Sequence, residues 1–328
     1  MSSLVVVLGG SGRYQGRMMQ RLPSPDQPLK IGTRGSPLAL AQAHEARDRL
    51  MTTLGLPEAA FEVVVVTVTG DRVQDRALKE IGGKGLFTRE IEEALLAGAI
   101  DIAVHSMKDM PTWQPEGLVL DCFLPRQDVR DGFVGSVSGL AALPAGAVVG
   151  TSSLRRRAQV LFRRPDLRVV EFRGNVQTRL RKMAEGVADC TFLAMAGVNR
   201  LGLSEVVKAA VEVEEMLPAV AQGAIGIERR VSDLAVAAML AGIHHRPTGV
   251  RLAVERAFLA ALDGGCDTPI AGLCVLDGAG VWLRGEILAL DGSKVFAGEI
   301  RSGCSEGVLA GRELARELLG RAGGGGFW

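Results

Sequence analysis

The chain has 328 residues, 38 Lys plus Arg against 37 Asp plus Glu for a formal net charge of +1, 47% hydrophobic residues and 4% aromatic residues. A prior of about 150 residues per domain gives two domains, with three allowed. The charge balance argues against a protein built to grip a phosphate backbone, and the scarcity of aromatics argues against a base-stacking platform. No apolar run approaches the ~20 residues needed to span a bilayer; the best, Leu234–Ile243, is too short.

The first 27 residues stand apart. Apolar Leu4–Leu8 is followed by Gly9-Gly10-Ser11-Gly12 and then by Arg13, Arg17 and Arg21. A secretory signal places its charges before the apolar stretch, and this order is reversed. The glycines imitate a dinucleotide fingerprint, but Pro23 and Pro25 leave too little room for the following helix and no βαβ unit closes around it. The expectation is a disordered N-terminal extension over residues 1–27, with Met18 or Met19 as alternative starts.

From Leu29 the pattern is regular. Leu29–Thr33 reads as a strand, and Arg34-Gly35-Ser36-Pro37 leads into a helix that Ser36 caps and Pro37 opens, with Leu40, Ala43, Ala46 and Leu50 on one face. Phe61–Thr69, rich in Val, reads as a buried strand, and Gly82-Gly83-Lys84-Gly85 as a loop. Leu86–Ala97 reads as an amphipathic helix, and Asp101–His105 as a strand stopped by Ser106–Pro111. After Pro125 the alternation restarts: strand Ala147–Gly150, Thr151-Ser152-Ser153 capping a helix Leu154–Arg164, strand Leu167–Phe172, helix Val176–Glu185 and strand Asp189–Leu193. Such alternation implies a mostly parallel sheet. From Pro247 the character changes to a helix Gly249–Leu262, the loop Asp263-Gly264-Gly265-Cys266, and strands Ile270–Leu276, Val281–Leu290 and Lys294–Arg301. Asp277-Gly278 and Asp291-Gly292 supply their turns, and a helix Glu306–Leu319 follows. The fold class is α/β: two α/β domains and a small C-terminal α+β domain.

Five cysteines (Cys122, Cys190, Cys266, Cys274 and Cys304) form neither a disulfide framework nor a zinc spacing, so reduced intracellular thiols and no metal are expected. One thiol is a candidate for reactivity and the other four are expected in cores. Gly82–Gly85 lacks the residues of a phosphate-binding Walker loop, and His244-His245 has no ligating companion.

The placement of the arginines points to a ligand. Arg155, Arg156 and Arg157 lie in the first turn of a helix, where each opposes the helix dipole by roughly 0.3–1 kcal/mol. Arg173 and Arg179 flank a second strand-to-helix junction and Arg34 occupies a third. Ligands bind at such junctions, and free N–H groups with guanidinium groups make an anion receptor. The alternative is surface arginines paired with nearby acids. Asp109 follows a strand, where a catalytic carboxylate would sit, although spacing alone favours an ordinary turn aspartate beside a solvated Lys108. Cys266 stands in a Gly-Gly-Cys loop that could display its thiol, although a buried structural cysteine is the simpler reading.

At these residues the chain resembles the porphobilinogen deaminase, or hydroxymethylbilane synthase, family. The matching stretches are Thr33–Leu40, Gly82–Phe87, Asp101–Asp109, Gly150–Arg156, Arg173–Arg179, Leu217–Ala224 and Gly264–Ile270, in order over roughly residues 28–320. The resemblance implies a cytoplasmic, monomeric transferase that condenses four porphobilinogen molecules head to tail, releasing ammonia each time, to give hydroxymethylbilane. It implies a dipyrromethane cofactor on a thioether to Cys266 and a catalytic Asp109. It also implies that Arg34, Ser36, Lys84, Phe87, Ser106, Lys108, Thr151, Ser152, Ser153, Arg155, Arg156, Arg173, Arg179, Arg200 and Gln222 bind cofactor or substrate. No nucleic acid or membrane partner is implied. Two domains like periplasmic binding proteins are expected at 28–124 with 224–242 and at 125–223, and a third at 246–328. Asp263 departs from the Glu expected there, and Arg157 extends the arginine pair. A non-catalytic carboxylate-binding protein on the same cleft is the alternative of a different class.

Overall fold

The computed structural model describes residues 22–68, 88–265 and 268–324. Lys84, Phe87 and Cys266 lie outside these residues, as does most of the expected N-terminal extension. Its last residues form a turn in which Ser24 and Gln27 exchange backbone hydrogen bonds of 3.1 and 2.9 Å.

The first sheet is built from β1 (Leu29–Thr33), β2 (Phe61–Val65), β3 (Ile102–Ser106), β4 (Leu118–Phe123) and β10 (Ile225–Arg230). The second holds β5 (Asp131–Gly135), β6 (Val148–Gly150), β7 (Arg168–Val170), β8 (Cys190–Ala194) and β9 (Ala209–Val211). Both have the same topology, β2-β1-β3-β10-β4 and β7-β6-β8-β5-β9. In each, the first three strands are parallel and the fourth runs antiparallel to the third. The fifth strand is again antiparallel to the fourth, so four of the five strands in each sheet run one way, mostly parallel as expected, with one reversed strand inserted. The reversed strand of each is supplied out of turn: β10 returns to the first sheet after the second is complete, and β5 opens the second before its parallel strands. Local alternation of strands and helices cannot reveal a strand whose partner is a hundred residues away, and β4, β5, β9 and β10 carry no turn signal that separates them from loop. Phe61–Val65 is shorter than expected and is an edge strand, with Val65 52% exposed.

Helix α1 (Pro37–Leu54) starts and stops for visible local reasons. Ser36 accepts from the Ala39 N–H, Pro37 occupies the first turn, and Gly55 ends the helix in the left-handed conformation at φ 65°. Ala43, Ala46 and Leu50 of α1 meet Ile31, Ile102, Val104, Ile225 and Ile227, together with Val236 and Leu240 of α6 (Leu234–Ala241), in the first core. Helix α2 (Arg89–Leu96) covers the opposite face of that sheet through Ile91 and Leu95. In the second domain α3 (Leu154–Arg163), α4 (Val176–Ala184) and the short α5 (Met195–Arg200) flank the sheet, with Phe133, Val149, Val160 and Phe192 buried.

The third domain packs α7 (Arg246–Ala261) and α8 (Gly307–Ala322) on an antiparallel sheet of β11 (Ile270–Asp277), β12 (Gly280–Leu288) and β13 (Val295–Gly303). Its core of Phe258, Leu283, Ile287, Leu314 and Leu318 runs on into Met107, Met110, Val220 and Ala221. Glu255 of α7, fully buried, ties the two segments that cross between the sheets. Its carboxylate accepts from Arg126 NH1 and NH2 at 2.6 and 3.0 Å, from the Ala221 N–H at 2.7 Å and from the Cys274 N–H at 2.8 Å. Cys122, Cys190 and Cys274 are buried as expected, and burial pushes each thiol up to about 12. Cys304 is exposed, against the expectation of a core position, because it lies in the exposed turn between β13 and α8.

Candidate active site

β3 ends in a single turn, Met107–Asp109, that places Lys108 and Asp109 at the edge of the first domain. Two buried methionines, Met107 and Met110, anchor the turn in the core shared with the third domain. Gly226 on β10 makes the anchorage possible, since a Cβ there would lie 2.1 Å from Met107 Sδ. The Met107 N–H also donates to Ala224 O at 3.0 Å, and Arg256 NH2 of α7 donates to Pro111 O at 2.8 Å. Asp109 is half-buried and makes no hydrogen bond among the described residues, and the same holds for Lys108.

From the second domain two helix starts face this turn. Ser153 caps α3 by accepting from the Arg156 N–H, and Asn175 caps α4 by accepting from the Thr178 N–H at 2.9 Å. Phe172 packs against Gly150, where a Cβ would lie 2.6 Å from the ring, and its N–H donates to Ser152 Oγ at 2.9 Å. Thr151 Oγ1 accepts from the Ser153 N–H at 3.1 Å. Ser36, Thr151, Ser152 and Ser153 thus share one arrangement: each oxygen is fixed by a backbone donor, and its own O–H is left to give to an anion.

Arg155 and Arg156 are almost fully buried, at 4% and 5% exposure. Both turn onto Asp131 at the start of β5, Arg155 NH2 at 2.7 Å and Arg156 NH2 at 2.6 Å. Gln222 Nε2 donates to the same carboxylate at 3.0 Å. Arg155 NH1 continues to Leu217 O and Arg156 NH1 to Phe192 O. Burial alone would raise the Asp131 carboxyl, but the two guanidiniums outweigh it and hold the group well below the usual carboxylate range. The trio carries one net positive charge. Asp131 was invisible in the sequence, where Arg130-Asp131-Gly132 looks like any turn; its four donor atoms come from α3 and from Gln222, both far along the chain.

Burial pushes the Lys108 ammonium down to about 8, against the opposing pull of Asp109, with Arg156 and Arg179 adding to the depression. Arg179 is lowered to about 10 by burial and by Arg156, and Asp109 opposes this. Lys108 and Asp109 of the first domain therefore share a field with Arg156, Asp131 and Arg179 of the second. This is a cleft with a carboxylate on one lip and an excess of positive charge on the other.

The remaining residues are less convergent. Ser106 accepts from Gln42 Nε2 of α1 at 3.2 Å. Arg34 is half-buried at the β1–α1 junction. Arg173 lies 3.9 Å from Glu171, and its carbonyl accepts from Lys182. Arg200 Nε pairs with Glu45 of α1 at 3.0 Å and NH2 donates to Gly223 O, so it braces the two domains against each other. The loop that holds Cys266 is pinned at its described feet: Thr268 Oγ1 accepts from the Gly265 N–H at 3.0 Å and donates to Gly265 O at 2.7 Å. Asp263, with φ 51°, begins its turn.

The porphobilinogen deaminase, dipyromethane cofactor binding domain family model matches residues 29–238, and the porphobilinogen deaminase, C-terminal domain model matches residues 250–320. A porphobilinogen deaminase of Paracoccus denitrificans is 64% identical over 93% of this chain and 97% of its own. A chloroplastic porphobilinogen deaminase of Pisum sativum is 53% identical over 91% of this chain and 83% of its own. Among solved structures the periplasmic VFT2 domain of Bordetella pertussis BvgS is a loose likeness, with 16% identity, TM-score 0.38, and 70% of this chain and 92% of that one covered. Two family models spanning both sheets and the third domain, and relatives alike over more than nine-tenths of the sequence, agree with a cleft that sets one carboxylate among cations: the chain belongs to the porphobilinogen deaminase family.

Proposed function

We propose that Asp109 is the catalytic carboxylate of this cleft and that a dipyrromethane cofactor is held by a thioether to Cys266. The reaction of the family, head-to-tail condensation of porphobilinogen to hydroxymethylbilane with release of ammonia, makes the chain a transferase of tetrapyrrole biosynthesis. The observation that carries the reading is Asp109 itself: a half-buried carboxylate without a hydrogen bond among the described residues, in the field of Lys108 and Arg179. A carboxylate so surrounded stabilises positive charge on a pyrrole ring from which ammonia has left, and can take up the ring proton lost on coupling.

The chemistry of the donor set fits the cofactor. Each pyrrole unit brings two carboxylates, and the cleft offers Lys108, Arg179 and the hydroxyl donors of Thr151, Ser152 and Ser153, with Arg34, Arg173 and Ser106 at its margins. The cofactor, when bound, supplies the free pyrrole carbon to which the first substrate is joined. Arg155, Arg156 and Gln222 act from beneath, through Asp131, by fixing the first turn of α3. Arg200 holds the two domains in register, and Lys84 and Phe87 complete the family's binding set. Burial raises the thiols of Cys122, Cys190 and Cys274 and makes them poor nucleophiles, and between Cys304 and Cys266 the family's Gly-Gly-Cys attachment loop favours Cys266. A monomer in the cytoplasm, with no nucleic-acid or membrane partner, accompanies this reading; among the described residues no helix is long and apolar enough to cross a membrane. The domain limits are read at 28–124 with 224–242, at 125–223 and at 246–328, a reading supported by the strands of each sheet falling within one of them.

Intact-mass measurement of the purified protein tests the cofactor: the mass should exceed that of the chain by two linked pyrrole units, and Cys266→Ser should abolish the excess. An active protein with an unmodified Cys266 would overturn the attachment. Asp109→Asn should lower kcat by about 10²–10⁴ while the adduct and the fold persist; a near-parental kcat would remove Asp109 from its role.

A further inference from the structure

The chain passes back from the second domain to the first over residues 217–224, and each domain holds a different part of this return segment. Gln159 of α3, fully buried, gives its whole amide to one residue: its Nε2 donates to Leu217 O at 2.9 Å and its Oε1 accepts from the Leu217 N–H at 2.9 Å. The side chain thus pairs with Leu217 as a neighbouring strand would. Arg155 NH1 donates to the same Leu217 carbonyl at 2.7 Å, so the clasp reaches back to the first turn of α3. From the third domain, the Gly272 N–H of β11 donates to Pro218 O at 3.0 Å, and Glu255 accepts from the Ala221 N–H at 2.7 Å. In the first domain, Ala224 O accepts at 3.0 Å from the N–H of Met107, two residues before Asp109.

Between the grips at Leu217 and Ala224 the backbone is strained. Ala221 has φ 62° and Gly223 φ 88°. Glycine takes such angles freely, and a Cβ at Gly223 would lie 2.7 Å from Gln127 O. Alanine enters the left-handed region only at a cost, and stays there only where its surroundings over-determine it. The grips on either side of Ala221 do so. Releasing one end lets Ala221 return to an ordinary conformation, and the Ala224 carbonyl moves with it.

We propose that Gln159 is a positioning residue for Asp109: by clasping Leu217 it holds Ala221 in the left-handed turn that sets Ala224 O against the Met107 N–H. The path consists of covalent and hydrogen bonds alone, from Gln159 to Leu217, along the chain through Ala221 to Ala224, across to Met107 and into the Asp109 turn. The helix whose first turn forms one lip of the cleft therefore also sets the place of the carboxylate on the other lip. This role rests on the reading of Asp109 as the catalytic carboxylate, and its first readout does not depend on activity.

Native-state hydrogen exchange of the holoenzyme reads the clasp at the Met107 amide. In Gln159→Met, a side chain of similar length without the amide, that N–H should exchange about tenfold faster, while amides of β12 and β13 keep their protection. kcat should fall about tenfold with KM within about twofold of the parent, because the reacting group is misplaced while the anion donors of the cleft stay where they are. Ala221→Gly takes φ 62° without strain; alone it should change either readout by less than about twofold, and in Gln159→Met/Ala221→Gly it should restore most of both. Gln159→Glu keeps the acceptor for the Leu217 N–H and is the milder variant should Gln159→Met fail to fold; its Met107 amide should exchange about threefold faster. Faster exchange confined to Leu217 and α3, with Met107 at the parental rate, or a double variant no better than Gln159→Met, would overturn the proposal. Asp109→Asn should leave exchange at Met107 unchanged, so failure of the Asp109 assignment and failure of the clasp are read separately.

Discussion

Asp131→Asn removes one negative charge at nearly constant volume from the point where three donor side chains converge. In the native protein Asp131 Oδ1 accepts from Arg156 Nε, Arg156 NH2 and Gln222 Nε2, at 3.2, 2.6 and 3.0 Å, and Oδ2 accepts from Arg155 NH2 at 2.7 Å. An amide can keep one of these faces as an acceptor, and its NH2 then points at a guanidinium that also only donates. Two guanidiniums are left buried without the carboxylate they share, and the one other acid acting on them, Glu286 on Arg155, makes no hydrogen bond to it among the described residues. Breaking a buried ion pair by removing one partner costs about 3–5 kcal/mol, against a total stability of roughly 5–15 kcal/mol. The chain has several domains, so one global unfolding energy is not the quantity to measure. Native-state hydrogen exchange resolves the location: amides of β5 and β8 should exchange about 10²–10³-fold faster, while those of β11–β13 keep their protection. The sign with pH follows from the depressed Asp131 carboxyl. The stabilisation that the variant lacks is present above the ordinary carboxylate range and is lost as pH falls through the lower native value, so parent and variant should converge in acid. Exchange in β5 and β8 within about threefold of the parent, a difference under 1 kcal/mol, would refute the argument that Asp131 holds the arginines.

Lys108, lowered to about 8, should lose its charge as pH rises through that value, so KM for substrate should rise by up to about tenfold per pH unit above it; Lys108→Arg should flatten the rise, as steady-state profiles would show. Gly226→Ala should displace Met107 and with it Asp109, lowering kcat by about 10²-fold with little change in KM, since an error of about 1 Å in a reacting group has that effect. Glu255→Gln breaks the fully buried pair with Arg126 and sets an amide donor against backbone N–H groups; a loss of about 3–5 kcal/mol should speed hydrogen exchange at the Ala221 and Cys274 amides by about 10²–10³-fold and open the segments that cross between the sheets to proteolysis.

Several features were legible in the chain because their causes are local. Ser36, Pro37 and Gly55 bound α1 by capping and left-handed geometry, and the apolar spacing of Ala43, Ala46 and Leu50 names its buried face. The β11–β12–β13 sheet follows from alternation and two Asp-Gly turns. The stretches around Asp109, Arg155 and Cys266 marked a family whose models indeed cover the chain.

Other features required the folded molecule, because their causes lie between segments far apart in sequence. β10 reaches the first sheet only after the second is built, so its antiparallel place beside β3 could not be read from either strand. Asp131, Glu255 and Gln42 are polar residues with unremarkable neighbours; what makes them matter is the donors that tertiary packing aims at them. The same packing changes the meaning of the arginines. Sequence placed Arg155 and Arg156 at a helix start, open to a ligand. The fold buries both against Asp131 and leaves Lys108 and Arg179 nearer the cleft, because a carboxylate buried at Asp131 requires paired, hydrogen-bonded cations beside it.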